Sequence, residues 1–201
     1  MESTARPATS TEPPAPEAPT SVHALLHGRS PREILGRIVP NDPLRMRGRV
    51  GRLLETQALL LDADRVHLRA LALCARAAVR YRGRPELESW LEARAEEALR
   101  EVLEEGEETL PGDAAATREQ GAFESLAPPL GLDAGEMKRA CARFNRLPAA
   151  ERRAFFELVL RARSLDDLAR SHGEGATEIA RRARRALEVL LGQEPVGGPA
   201  T

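Results

Sequence analysis

Apolar residues recur at intervals of three and four along most of the chain, which is the spacing of amphipathic helices. The stretch from about Asp62 to Val79 has this spacing, and so does the stretch that starts at Pro85 or Glu86 and contains Trp90. Alternating apolar and polar residues, which would indicate strands, extend over no useful length. Aromatic residues make up only 3% of the chain, so its cores must consist mainly of Leu, Ala, Val and Ile. The sequence therefore predicts an all-α fold.

Shorter helices are predicted on both sides of these two. Ser30 and Pro31 begin one of them, because serine is a good helix cap and proline is tolerated at the first helical position. Asp42 and Pro43 are predicted to begin the next one. Four more helical stretches are predicted in the C-terminal third, at about residues 135–145, 149–162, 164–171 and 177–191.

Segments poor in large apolar residues divide the chain. Residues 1–21 and 192–201 are too poor in such residues to form a core, so we predict two disordered tails. Residues 106–135 are rich in Gly, Pro, Asp and Ala and lack helical periodicity, which indicates an interdomain linker. We therefore predict two small helical domains, at residues 22–105 and 136–191.

Charged residues are segregated along the chain, although its net charge is only −1. Residues 23–84 contain thirteen arginines and five acidic residues, whereas residues 86–108 contain ten glutamates and two arginines. Residues 138–188 contain thirteen basic and seven acidic residues. The acidic block is interpreted as a solvated helix face, as a docking surface for a basic partner, or as a mask over the chain's own arginine-rich segment.

Residue patterns typical of catalysis or metal binding are lacking. His23 and His27 are four residues apart but have no third ligand, and no Ser, His and acid set stands out. We therefore expect no enzymatic activity, no metal and no cofactor. Cys74 and Cys141 occur in apolar helical patterns and are expected to be buried free thiols. No apolar run is long enough to cross a membrane and no signal peptide is recognisable, so we expect a cytoplasmic protein.

The segment from Ser164 to Leu191 has the residue types of a helix-turn-helix. Ala169 is small enough for a close helix crossing, Gly173 suits a turn with positive φ, and Ile179 can anchor the second helix. A plain helical hairpin with a solvated arginine face is the alternative. The DNA-binding residues that the helix-turn-helix predicts are Thr177, Glu178, Arg181, Arg182, Arg184 and Arg185.

This segment, SLDDLARSHGEGATEIARRARRAL, resembles region four of the extracytoplasmic-function (ECF) sigma factors. In that family a Leu-Pro start, an arginine-rich turn and an apolar cluster precede the motif. The matching residues here are Leu147-Pro148, Arg152, Arg153, Phe155, Phe156 and Leu158. The resemblance implies that the second helix reads promoter DNA, a role that falls on Glu178, Arg181, Arg182 and Arg185. His172 and Glu174 stand beside the turn glycine, where the family usually has apolar residues.

A second stretch resembles region two of the same family. It has the pattern Phe-x-Gly…Trp-Leu…Ala, represented here by Tyr81-Arg82-Gly83, Leu87, Trp90-Leu91 and Ala95. Where the family grips RNA polymerase with acidic and amide residues, this chain has Arg65, His67, Leu68 and Arg69. Where the family turns basic after the Trp, this chain is rich in glutamate, which repels phosphate. We therefore do not expect this stretch to open a promoter.

The sequence as a whole favours a bacterial transcription regulator that resembles a divergent ECF sigma factor. Such a regulator would bind promoter-like DNA through its C-terminal helix-turn-helix. The alternative is a helical interaction protein that binds no DNA and docks on RNA polymerase, a sigma factor or a regulator.

Overall fold

Helices form all of the regular secondary structure in the described part of the chain. The structure is a computed structural model that describes residues 22–27, 30–108 and 131–193. The α-helices found there are α1 (Val22–Leu26), α2 (Pro31–Ile38), α3 (Met46–Gln57), α4 (Ala63–Ala78), α5 (Leu87–Glu108), α6 (Ala134–Asn145), α7 (Ala149–Phe155), α8 (Leu165–His172) and α9 (Ala176–Leu190). The predicted all-α fold is confirmed.

Parts of the predicted organisation lie outside the described residues. These are the N-terminal tail at 1–21, nearly all of the C-terminal tail, and residues 109–130 of the predicted linker. Helix α5 continues to Glu108 and so includes the first three residues of the predicted linker, 106–108.

Side-chain caps determine where several helices begin, because the first backbone N–H groups of a helix have no partner within it. Ser30 and Ser164 cap α2 and α8, with their hydroxyl oxygens accepting from backbone N–H groups three residues later. Asp62 caps α4 in a similar way, and Asp133 forms a reciprocal capping box with Glu136 at the start of α6. These caps account for the close agreement between the predicted and observed starts of the four helices.

The third helix begins later than predicted. We expected it to start at Asp42, but α3 begins at Met46 because Asn41, Asp42 and Arg45 have φ angles of 60°, 43° and 51°. A right-handed helix cannot pass through residues in that region. The Asp42 carboxylate instead accepts hydrogen bonds from the backbone N–H groups of Met46 and the following residue, both at 2.8 Å. Asp42 thus caps α3 from four residues before its first turn.

The helix predicted over 149–162 is also shorter than expected. Its α-helical part, α7, ends at Phe155, and a five-residue π-helical turn, Phe156–Leu160, follows. Ala162 then has a φ of 50°, which prevents the helix from continuing.

Helices α1 to α5, which we call the first helical bundle, enclose the largest apolar core. Its fully buried side chains include Ile34, Ile38, Val50, Val66 and Leu71. Trp90 also belongs to this core: it is 7% exposed, and its ring lies 4.7 Å from that of Tyr81. None of the described helices is both long enough and apolar enough to span a membrane.

The C-terminal helices form two smaller apolar clusters. The larger one joins α6, α7 and α9 and consists of Met137, Ala140, Cys141, Phe144, Phe155, Ala186 and Leu190. Leu60, from the connection between α3 and α4, packs against this cluster. The smaller one joins α7, α8 and α9 and consists of Ala154, Leu168, Ile179 and Ala183.

Polar contacts tie the connection between α3 and α4 to the C-terminal helices. The Asn145 side chain accepts a hydrogen bond from the Leu60 N–H at 2.8 Å and donates one to the Leu60 carbonyl at 3.0 Å. The Arg152 guanidinium donates to the Gln57 carbonyl at 3.2 Å, near the end of α3. The Asn145 side chain therefore pairs with both the N–H and the carbonyl of Leu60, which lies between two helices of the first helical bundle.

Replacing Asn145 with alanine is expected to lower the free energy of unfolding by about 1–3 kcal/mol, because two partly buried backbone groups lose their partner. Urea unfolding followed by circular dichroism measures this change. Arg139→Ala, on the exposed side of the same helix, is the matched control and should change the free energy by less than about 0.5 kcal/mol. Equal effects of the two substitutions would contradict a structural role for the Asn145 amide.

Both cysteines are free and buried, as predicted, and burial raises the pKa of each thiol to about 12. Because the thiolate is the reactive form, we expect both to react slowly with a disulfide reagent in the native protein. In denaturant both should react at the rate of a free cysteine. Rapid modification of either thiol without denaturant would show that its helix opens readily.

Candidate nucleic-acid interface

Helices α8 and α9 are joined by a turn of three residues, 173–175. Gly173 ends α8 with a φ of 65°, a conformation that strains any residue with a Cβ atom. Its N–H and that of Glu174 both point to the Ala169 carbonyl, which closes the end of α8. The positive φ that we predicted at Gly173 is therefore present.

Apolar contacts hold α8 and α9 together. Leu168 of α8 is 1% exposed and packs with Ile179 and Ala183 of α9 and with Ala154 of α7. Ala169 is partly buried against the same cluster. Ala169 and Ile179, which were predicted to hold α8 and α9 together, thus both take part in the packing between these helices.

Helix α9 has one buried and one solvent-facing side. Its buried side chains are Ile179, Ala183, Ala186 and Leu190. Thr177, Arg181 and Arg184 are all exposed and are spaced four and three residues apart, which places them on the opposite side of the helix. All six residues predicted to bind DNA are on α9, and three of them line this outward side.

Glu178 restrains two of the predicted arginines. Its carboxylate accepts hydrogen bonds from Arg181 at 2.8 and 2.9 Å and from Arg182 at 2.9 Å. The hydrogen bond from Arg181 is the main cause that lowers the pKa of Glu178 to about 2. The same contact raises the pKa of Arg181, whose side chain remains 60% exposed. Arg182 also pairs with Glu174 at 2.7 Å and is only 26% exposed.

Arg185 is oriented by a buried carboxylate on α7. Its guanidinium lies 3.3 Å from Glu151, which is itself only 7% exposed. The second carboxylate oxygen of Glu151 is buried and has no hydrogen-bond partner among the described residues. Arg184, in contrast, is exposed and pairs with no carboxylate in the described ranges. Of the four arginines on α9, Arg184 is therefore the one with no such neutralising neighbour in that part of the chain.

Several glutamates of α5 pair with arginines of the first bundle. Arg69 binds Glu101 at 2.9 Å and also pairs with Glu105, which in turn binds Arg65 at 2.9 Å. Near the start of α5, Glu88 pairs with Arg49. No ion pair joins α5 to α9 within the described residues, so these glutamates do not mask the α9 arginines there.

Glu178 was predicted from the sequence to be a DNA-binding residue, but its pairing with Arg181 and Arg182 was missed, as was the pairing of Glu151 with Arg185. Glu178 stands three and four residues before Arg181 and Arg182, a spacing that favours ion pairs on a helix, so this signal was present in the sequence. The Glu151–Arg185 pair joins separate helices and left no such signal.

Within the described residues, no group of three or more His, Cys, Asp or Glu side chains could hold a metal ion. No protein-family model, curated protein or solved structure matches the chain.

Proposed function

We propose that this protein is a transcription regulator that binds DNA through helix α9. The observation that carries the proposal is the outward side of α9, where Thr177, Arg181 and Arg184 are exposed on a helix whose opposite side is buried. A basic helix held at a fixed angle by a short turn and a second helix is the usual element for reading a major groove. The resemblance to region four of ECF sigma factors supports promoter-like DNA as the ligand.

The proposed contacts follow from the position of each side chain. Arg181 and Arg184 extend from the middle of the outward side, from which guanidinium groups can reach base edges or phosphates. Thr177 lies at the N-terminal end of α9, where unpaired backbone N–H groups favour a phosphate. Arg185, which Glu151 orients, is suited to contact the sugar–phosphate backbone of DNA beside Arg181 and Arg184.

In this proposal the carboxylate of Glu178 lowers the affinity of α9 for DNA. A DNA phosphate must compete with the Glu178 carboxylate for Arg181 and Arg182, because two anions that share the same guanidinium partners repel each other. Non-specific affinity should therefore be modest for a helix that carries four arginines. Contacts to the correct bases would have to compensate for the ion pairs that DNA displaces.

Replacing Arg181 and Arg184 with glutamine is expected to weaken DNA binding and to reduce the slope of log affinity against log salt by about 2, since each lost phosphate contact removes about one released counterion. Fluorescence anisotropy with a random-sequence duplex, measured over a series of salt concentrations, gives both quantities.

The matched control for this experiment replaces Arg32 and Arg52 with glutamine. Both are exposed arginines on the first bundle and pair with no carboxylate in the described ranges. This variant changes the net charge equally and should bind DNA like the wild type. A wild-type affinity that ignores ionic strength, or an α9 variant that binds like the control, would refute the proposal.

Replacing Glu178 with glutamine is expected to raise DNA affinity roughly 3- to 10-fold at low salt, because two arginines lose a competing carboxylate. The ratio of variant to wild-type affinity should be the same at pH 5 and pH 7, since a pKa of about 2 keeps the wild-type carboxylate ionised at both. Anisotropy titrations of both proteins at the two pH values measure the ratio.

Glu96→Gln is the control for this prediction. It removes one exposed carboxylate from α5 and should leave DNA affinity unchanged. If Glu178→Gln bound DNA no more tightly than Glu96→Gln, the carboxylate of Glu178 would not compete with DNA.

A further inference from the structure

A cavity of about 170 Å³, which we call the α7–α9 cavity, lies between the last three helices. Its apolar wall includes Ala154, Leu168 and Ile179, one from each of these helices. All three belong to the small apolar cluster that holds α8 and α9 together. The DNA contacts proposed for the outward side of α9 use none of these side chains, so the proposed function leaves the cavity unexplained.

Two residues that line the cavity depart from the pattern of the ECF sigma factors. His172 and Glu174 stand beside the turn glycine, where that family usually has apolar residues. Both side chains are exposed. With polar side chains at these positions, the cavity combines an apolar wall with hydrogen-bonding groups, which is the combination found in most small-molecule sites.

Both carboxylates of the cavity lining already have arginine partners. Glu157 binds Arg161 at 2.7 Å and Arg163 at 3.0 Å. Glu174 binds Arg182, which also lines the cavity, at 2.7 Å. The negative charge that faces the cavity is therefore offset by these ion pairs.

Arg153, which also lines the cavity, has no such partner. It is exposed and pairs with no carboxylate in the described ranges. Its neighbour Arg152 donates only to backbone carbonyls there, and burial and, to a smaller extent, the charge of Arg153 lower the pKa of Arg152. The charge of Arg153 is therefore not offset within the described residues, and it favours an anion in the cavity.

The volume of the cavity limits the apolar part of a ligand to about one six-membered ring. An engineered cavity of about 150 Å³ with apolar walls binds benzene, and the α7–α9 cavity has nearly the same volume. A flat, rigid ring also loses little conformational entropy when it binds.

We propose that the α7–α9 cavity binds a small aromatic monocarboxylate. The ring packs against Leu168 and Ile179, and the carboxylate accepts hydrogen bonds from the guanidinium group of Arg153. The forked geometry of a guanidinium group matches the two oxygens of a carboxylate. This site is independent of DNA, because the carboxylate takes the place of no residue on the outward side of α9.

Benzoate is the ligand used in the test, and its binding to the isotope-labelled full chain is followed by changes in amide chemical shifts. The expected dissociation constant is about 1 mM or lower, with the largest shifts near Leu168 and Ile179. Benzamide has the same ring without the charge, and acetate has the charge without the ring. Each should bind at least about 10-fold more weakly than benzoate, because one of the two proposed interactions is missing.

Substitution of Arg153 tests the proposed charge. Arg153→Gln should weaken benzoate binding about 10-fold, because a charge-assisted hydrogen bond is lost, whereas Arg153→Lys keeps the charge and should lose less. Arg32→Gln is the matched control, since Arg32 is also exposed and pairs with no carboxylate in the described ranges. It should bind benzoate like the wild type. The amide spectrum of each variant verifies that it is folded.

The absence of shift changes with benzoate, equally tight binding of benzamide, or an Arg153→Gln variant that binds like Arg32→Gln would each overturn the proposal. Shift changes confined to Glu55 and Thr56 would also overturn it, because these residues line a different cavity of about 250 Å³ that reaches Arg153 as well. The experiment contains no DNA. Its failure therefore leaves the proposed function of α9 intact, and failure of DNA binding leaves this proposal intact.

Discussion

Burial of one apolar side on each helix is the constraint on which the rest of this structure depends. With so few aromatic residues in the chain, the cores are built mainly from Leu, Ala, Val and Ile side chains. In α9, burial of Ile179, Ala183, Ala186 and Leu190 fixes the rotation of the helix about its axis. That rotation determines which arginines face solvent. The polar surface of α9 is therefore a consequence of its apolar packing.

Ion pairs then decide which of the exposed arginines remain available to a ligand. Exposed pairs contribute little to stability, so their main effect in this protein is on the local charge of each surface. Arg65 and Arg69 are neutralised by the glutamates of α5, and Arg182 by Glu174 and Glu178. The basic blocks counted along the sequence thus overstate the positive charge that any one surface presents.

Local features of the structure could be predicted from the sequence, whereas contacts between distant residues could not. The helical periodicity of α4, α5 and α9 and the caps Ser30 and Ser164 are signals within a few residues, and the structure has these elements. The late start of α3 left only a weak signal, because the residues with positive φ there are Asn41, Asp42 and Arg45 and not glycines. Pairs such as Asn145 with Leu60 depend on how helices far apart in sequence pack together. At the candidate interface, the six residues were found on one helix, but the role of Glu178 in neutralising its neighbours was missed.

A net charge of −1 is compatible with the DNA binding proposed for α9 because electrostatic interactions in salt solution are local. At physiological ionic strength the field of an exposed charge is screened within about 8 Å, so a phosphate responds only to the groups near it. The glutamates of α5 that pair with α3 and α4 lie against those helices, where arginine partners already offset them. On the outward side of α9, Arg184 has no such partner among the described residues. The proposed DNA binding therefore depends on the segregation of charge along the chain and not on its total.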